Sequence, residues 1–490
     1  MKRVMLLLLV LAMLISTVAL LGSCGGGNEK TGGESKESEG PKDELDYLPD
    51  KKYTSANNGK FVILCRDNGQ EILRENSEGD RVDYAIYMRN ATIEDRYGVE
   101  LTYSQEEYHL IPDKVSDIVK AGDTSAIDVV NNHIVYSSNI MTAGNALNWQ
   151  EVPYIDLTQD WWARSNLKDL TLNNQTYILI GDMHTSAIGS TYCMFYNKKL
   201  CEKYNITGLY ELVMNDGAWT YEKMLELISD IREDVNKDNR YNAHDLYGLV
   251  TTGGSPVNAY LWAFNNPIFA KNSEGELEFT FYSSKLPSLM TKLVKLYHKT
   301  DGCFSATQDL TAVANMFVDE RAVFINGLFS MAAGQLRDMD TSTWGIVPYP
   351  KWNSKQQSYL TSVDGGHNAL VAPYLRNASD EKVEMLGVIT EALNCLSHSG
   401  LRVEYYDKAL KSKYIGDPKE AAVIDMLMEN RVFDFGYIYL AFTSPAFWLQ
   451  DMIPAKNDKI ANYYAGKKDA LEAKIVEVYA AYGLEFEGLD

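Results

Sequence analysis

Residues Met194–Val250 read MFYNKKLCEKYNITGLYELVMNDGAWTYEKMLELISDIREDVNKDNRYNAHDLYGLV. The stretch opens on an apolar run and a short Asn-Lys-Lys turn, followed by a helix-like segment, Leu200–Tyr204. Thr220 is a fair N-cap, and behind it Tyr221, Leu225, Ile228 and Ile231 fall near helical spacing on one face. The helix runs into an oxygen-rich loop and then the strand-like Leu246–Val250. Strand, helix, loop and strand in this order predict an α/β protein.

Within the loop, Asp234, Asn236, Asp238, Asn242 and Asp245 stand at positions 1, 3, 5, 9 and 12, and Arg240 at position 7 offers its backbone carbonyl. Calcium takes six to eight oxygens from a tightly curled loop, which this spacing supplies. Asn239 replaces the usual Gly at position 6, and Asn tolerates a left-handed backbone better than most residues. The expectation is a structural Ca2+ that fastens a helix end to a strand. The alternative is a solvated Asx-rich turn.

The segments FYNKKLCEKYNI, WTYEKMLELI and DLYGL together resemble the middle of the family 1 extracellular solute-binding proteins, the maltose-binding-like receptors of ABC importers. RNATIEDRYGVELTY resembles the first helix and second strand of these receptors, and FVDERAVFI followed by NGLF, then TWGIVPYP, match recurring family patterns. The resemblance implies a two-lobe periplasmic-binding-protein-like α/β fold, with hinge strands and a ligand cleft between the lobes. It places lobe 1 at residues 59–189 plus 365–413 and lobe 2 at 190–364 plus 414–490, with crossings near Ser190–Cys193 and Ser362–Gly366.

For the cleft, the resemblance implies stacking aromatics at Trp448 in SPAFWLQDMI, at Phe329, and at Trp262 or Tyr260 in TTGGSPVNAYLWAF. Hydrogen bonds would come from Arg66, Asp67 and Asn132 in the opposite lobe, Asn132 lying in a loop Asn131-Asn132-His133 after a strand Ile127–Val130. Ser190 and the Ser255-Pro256 region stand where the maltose receptor places acidic sugar contacts, which points away from maltose itself. The implied function is capture of a carbohydrate, an oligosaccharide, by a monomer that closes around it and hands it to ABC permease subunits.

Composition bounds the alternatives. The 490 residues carry 46 basic and 67 acidic side chains, a net charge of −21, which argues against nucleic-acid binding. The 32 Tyr, 15 Phe and 8 Trp must mostly fill the core; any left at a surface match the apolar face of a pyranose. No H-E-x-x-H, G-x-S-x-G, Walker A or G-x-G-x-x-G pattern is present, and the seven His are dispersed, so the chain is not expected to be an enzyme. A cell-surface glycan-degrading enzyme and a same-fold receptor for a non-sugar solute such as a peptide remain as rival readings.

The N-terminus has a basic start, an apolar run Val4–Leu21 and then Leu21-Gly22-Ser23-Cys24, the form of a lipoprotein signal peptide (1–24) with Cys24 as the lipidated residue. A transmembrane anchor is the alternative. Residues 25–58 are rich in Gly, Ser, Glu and Lys and are expected to form a flexible tether to the outer face of a bacterial cell membrane. Without C-x-x-C spacing or a Cys/His cluster, neither a disulfide framework nor a zinc site is expected. A Cys24→Ala variant should appear in the soluble fraction or stay unprocessed; normal processing with membrane retention would refute the lipoprotein assignment.

Overall fold

A computed structural model describes residues 43–66, 71–74, 77–215, 217–415 and 418–489. Cys24, the signal peptide, the first part of the tether and Asp67 lie outside the described residues. Residues Glu44–Asp490 form one compact unit. The fold therefore begins earlier than the expected tether boundary at residue 58. Leu45, Leu48, Tyr53 and Ala56 are buried, the Tyr53 N–H donates to Tyr97 O at 2.8 Å, and its hydroxyl donates to Glu384 at 2.9 Å. Four apolar side chains in a polar stretch are enough to pin it once a surface is there to receive them.

Lobe 1 is built on β1 (Lys60–Arg66), β2 (Glu100–Glu106) and β3 (Val129–His133). β1 pairs in parallel with both neighbours, as strand–helix–strand alternation requires. Helix Arg81–Tyr97 joins β1 to β2. Asp80 caps its start by accepting from the N–H groups of Val82 and Asp83, and Gly98 ends it at φ 62°. The strand expected at Ile127–Val130 is displaced toward the C-terminus, so Asn131, Asn132 and His133 are strand residues rather than a loop. A distant segment extends it: Asn368, Ala369 and Leu370 pair antiparallel with His133, Asn132 and Asn131.

Lobe 2 follows with β4 (Tyr192–Asn197), β5 (Arg232–Glu233), β6 (Leu246–Thr252), the hairpin β7 (Phe269–Lys271) and β8 (Leu277–Phe279), β9 (Cys303–Ala306), β10 (Ala322–Leu328) and β11 (Trp344–Val347). Its sheet has the order β11-β4-β10-β6-β5, with β9 also on β6. Thr220 caps helix Tyr221–Ile228 by accepting from the Lys223 N–H, and Tyr221, Met224, Leu225 and Ile228 are its buried face. Two strands of the hinge region, β12 (Thr361–Ser362) and β14 (Arg431–Val432), pair in parallel, and β13 (Asn368–Val371) is the strand that returns to lobe 1.

The two crossings run side by side. Thr191 bridges Val363, and the Asp364 N–H donates to Ser190 O at 2.8 Å. The third passage is helical rather than a hinge strand. Helix Asp380–Leu396 continues into segment 397–415, whose Ser397 accepts from Arg89 of lobe 1 at 3.1 Å. Farther along, Tyr406 donates its hydroxyl to Asp425 of lobe 2 at 2.7 Å. The five described cysteines are free thiols. No described helix is long and apolar enough to cross a membrane.

The start of the helical passage is fastened by charge. His398 Nδ1 lies 2.5 Å from Asp182 Oδ2, with Arg402 Nε at 3.6 Å from the other oxygen. The Asp182 carboxylate raises the His398 pKa above its ordinary value, against the effect of partial burial. A raised histidine pKa stabilises the fold fully below its unfolded value of about 6.5, and that contribution is lost as pH rises through the folded value. His398→Gln should therefore lower Tm at about pH 5 and leave it unchanged well above neutrality. Equal losses at both pH values would show that the pair contributes by packing alone.

Candidate functional site

In parallel α/β sheets, ligands bind beyond the carboxyl ends of the strands. In lobe 1 those ends present Arg66 from β1 and Asn131, Asn132 and His133 from β3. A run of aromatic rings starts there. The His133 imidazole stacks on Tyr108 at 5.5 Å with a 27° interplanar angle, and Tyr136 meets it edge-on at 5.2 Å. Tyr136 touches Phe442 at 5.2 Å, Phe442 touches Phe447 at 5.3 Å, and Phe447 touches Tyr437 at 5.5 Å. The rings thus continue from lobe 1 onto the C-terminal segment.

Local backbone sets which rings face outward. Ala441 takes φ 46°, an uncommon conformation for a residue with a Cβ, and the next side chain, Phe442, is 58% exposed. The short turn Pro445–Phe447, capped by Ser444 accepting from the Ala446 N–H, leaves Phe447 half-buried in the run and turns Trp448 inward.

Among the polar groups beside the rings, Arg66 is charged at the lobe 1 end, and Asp364 lies near Tyr437 at the other. Burial, reinforced by the Arg66 guanidinium, lowers the His133 pKa to about 4, so its imidazole is neutral at physiological pH. Asn132 Nδ2 donates to Tyr108 O at 3.0 Å, and Asn131 Oδ1 lies 3.1 Å from His184 Nε2. That leaves Asn131 Nδ2, Asn132 Oδ1 and His133 Nδ1 buried with no hydrogen-bond partner among the described residues. A buried polar atom without a partner is costly. Asn131 and Asn132 are fully enclosed in this arrangement, so a ligand's hydroxyls could satisfy these atoms only where the surrounding side chains move aside.

The structure buries most of the aromatic residues expected to contact a ligand. Trp448 is 5% exposed and packs on Phe281 and Tyr463, both at 5.6 Å between ring centroids. Phe329 is fully buried in the lobe 2 core. Tyr260 is fully buried between Phe264 and Tyr349, its hydroxyl 3.4 Å from Asn326 Oδ1. Trp262 donates from Nε1 to the buried Asp434 at 2.8 Å and borders a cavity of about 510 Å³ where the lobes meet. In each case the ring is better satisfied by the interior than by solvent. Arg66 and Asn132 do lie at the lobe 1 end of the aromatic run, while Tyr108, Tyr136, Phe442 and Phe447 were not anticipated. The one sequence signal for Phe447 was its place beside Trp448.

Asp234 accepts from the N–H groups of Asp238 and Asn239 at 3.3 and 2.8 Å, and Asp245 from those of Val235 and Asn242 at 3.1 and 2.8 Å. Lys237 and Asn239, at φ 58° and 62°, curl the chain so that both ends of loop 234–245 close on it. Among the described residues, no three acidic, His or Cys side chains are gathered as a metal cluster.

Comparison with known structures gives the same architecture at low identity. The galacto-N-biose-/lacto-N-biose I-binding protein of the Bifidobacterium longum ABC transporter, in complex with lacto-N-biose, aligns with a TM-score of 0.56 at 12% identity, over 87% of this chain and 98% of its own. UgpB from Mycobacterium tuberculosis, in complex with glycerophosphocholine, aligns at 0.55 and 15%, over 85% and 98%. Maltose-bound MalE3 of T. maritima aligns at 0.54 and 14%, over 84% and 99%. No curated protein matches the sequence. The family model for bacterial extracellular solute-binding proteins matches residues 90–380, which run from the first helix of lobe 1 through both hinge crossings to the return strand β13. Two α/β lobes, paired crossings and that match together make this chain a member of the bacterial extracellular solute-binding protein family.

Proposed function

We propose that the protein captures a neutral oligosaccharide between its lobes and delivers it, by hinge closure, to an ABC permease at the outer face of the membrane, held there through Cys24. Hinge closure is a common way for two-lobe proteins to enclose a ligand. The observation that carries this reading is the aromatic run from Tyr108 to Phe447, bordered by amides and a neutral imidazole. Ring faces match the apolar face of a pyranose, and the unpartnered amide and imidazole atoms match its hydroxyls. The sugar-bound neighbours support the same class. No bond is made or broken in this role.

A thermal-shift screen over neutral oligosaccharides tests the proposal, because a sugar at a hundred times its Kd adds about 2.7 kcal/mol to stability. Saturable binding without product is the expected result, and turnover of any glycan would overturn it. For a binding sugar, Tyr136→Ala and Phe447→Ala should each weaken affinity about tenfold or more, taking ~1–3 kcal/mol per ring by analogy with base stacking, with Tm nearly unchanged. Trp448→Ala should instead cost ~3–5 kcal/mol of stability. The opposite pattern would return the site to Trp448.

We further propose that loop 234–245 holds one structural Ca2+ through Asp234, Asn236, Asp238, Asn242, Asp245 and the Arg240 carbonyl. The curled backbone and the two carboxylates that close it support this reading. Affinity in the ~10⁻⁴–10⁻³ M range suits an extracellular module. Asp234→Ala combined with Asp238→Ala should lower Tm in calcium and matter little in chelator. An unchanged calcium response would remove the site.

A further inference from the structure

An α-helix leaves its last carbonyls without intrahelical donors. At helix Arg164–Leu170 of lobe 1, donors from beyond the first crossing fill that need. Lys271, the last residue of β7, donates from Nζ to Lys168 O at 2.6 Å and to Thr171 O at 2.7 Å. Tyr482, just past helix Ile460–Ala481, donates its hydroxyl to Leu170 O at 3.3 Å. The Phe433 N–H donates to Asp169 Oδ2 at 3.0 Å. Asn173 and Gln175 of lobe 1 complete the joint by donating to Tyr482 O at 3.0 and 3.2 Å.

The Lys271 ammonium also sits at the negative end of the helix dipole, where a cation is favoured. Its bonds are charge-assisted and so stronger than neutral ones. The cavity of about 510 Å³ at the lobe junction is bordered by Asp169 and Lys271, so the joint lies against open space instead of a sealed core. Rotating one lobe about the crossings would withdraw these donors and leave the carbonyls to water.

We propose that Lys271, with Tyr482, forms a cross-lobe latch on the C-terminus of this helix and sets the balance between two arrangements of the lobes. The latch holds the arrangement in which Tyr136 meets Phe442. A contact present in one arrangement and absent from the other shifts the equilibrium, and with it the apparent affinity of a ligand that binds only one of them. Neither residue belongs to the aromatic run, so affinity is tuned from outside the binding site. The inference rests on the reading of the chain as a receptor that closes by hinge rotation.

The test measures interlobe distance without any sugar, by electron–electron resonance between spin labels at Lys120→Cys and Lys299→Cys. These exposed positions lie on helices Ile111–Ala121 and Leu286–Lys299, one on each lobe. The otherwise unaltered protein should give one main distance. Lys271→Met combined with Tyr482→Phe should add a second, longer population, and Lys271→Arg, which keeps the donors and the charge, should not. An unchanged distribution in the double variant, at unchanged Tm, would overturn the latch. If the double variant is too unstable to measure, the single Lys271→Met at its half-exposed site decides the matter by the same criterion. A latch that behaves as expected in a protein that binds no oligosaccharide would sink the sugar assignment alone.

Discussion

Two passages of backbone lying side by side constrain everything else in this molecule. Thr191 faces Val363, and the chain leaves lobe 1 and re-enters it through the same narrow neck. One buried carboxylate holds both passages at their lobe 1 end. Glu71 accepts from the Ser186 N–H at 2.8 Å and from Ser186 Oγ at 3.0 Å just before the first crossing, and from Asn368 Nδ2 just after the second. Burial of a carboxylate is tolerated only with such partners. Arg89, fully enclosed nearby, adds an attractive charge. Two strands and one helical passage join the lobes, and the C-terminus of helix Arg164–Leu170 adds further contacts between them.

The abundance of tyrosine has a structural explanation more than a functional one. Half of the 32 tyrosines are buried, and several of their hydroxyls find partners within the interior. Tyr221 donates to Lys292 O at 2.7 Å, Tyr479 to Leu277 O at 2.9 Å, and Tyr192 to Asp364 at 2.6 Å. A buried ring with a satisfied hydroxyl contributes a large apolar area without an orphaned polar atom. Tyr108, Tyr136, Phe442 and Phe447 touch one another in sequence where the strands of lobe 1 end, while Tyr84, Tyr154, Tyr241, Tyr282 and Tyr374 lie exposed elsewhere.

Electrostatics narrow what such a site accepts. The chain as a whole is strongly acidic, with a net charge of −21, yet around His133 the groups that border the rings are amides, the neutral imidazole itself and one guanidinium. A neutral, multiply hydroxylated solute satisfies these groups without bringing a charge that must be desolvated.

Much of the fold was legible in the sequence because it depends on local chemistry. The cap at Thr220, the stop at Gly98 and the amphipathic face of Tyr221–Ile228 follow from residue type and spacing, and the structure has each of them. The candidate site was only partly legible. Asn131–His133 looked like a loop because the strand β13 that pairs with them lies more than two hundred residues later. Trp448 looked like the stacking ring because it is the largest side chain in SPAFW, and the three-residue turn Pro445–Phe447 decides instead that Phe447 joins the run while Trp448 enters the core. Local propensity and pattern act between neighbours in the chain, and these the sequence by itself determined. Which ring faces solvent depends on which distant surface has already claimed its neighbour, and only tertiary packing decided that.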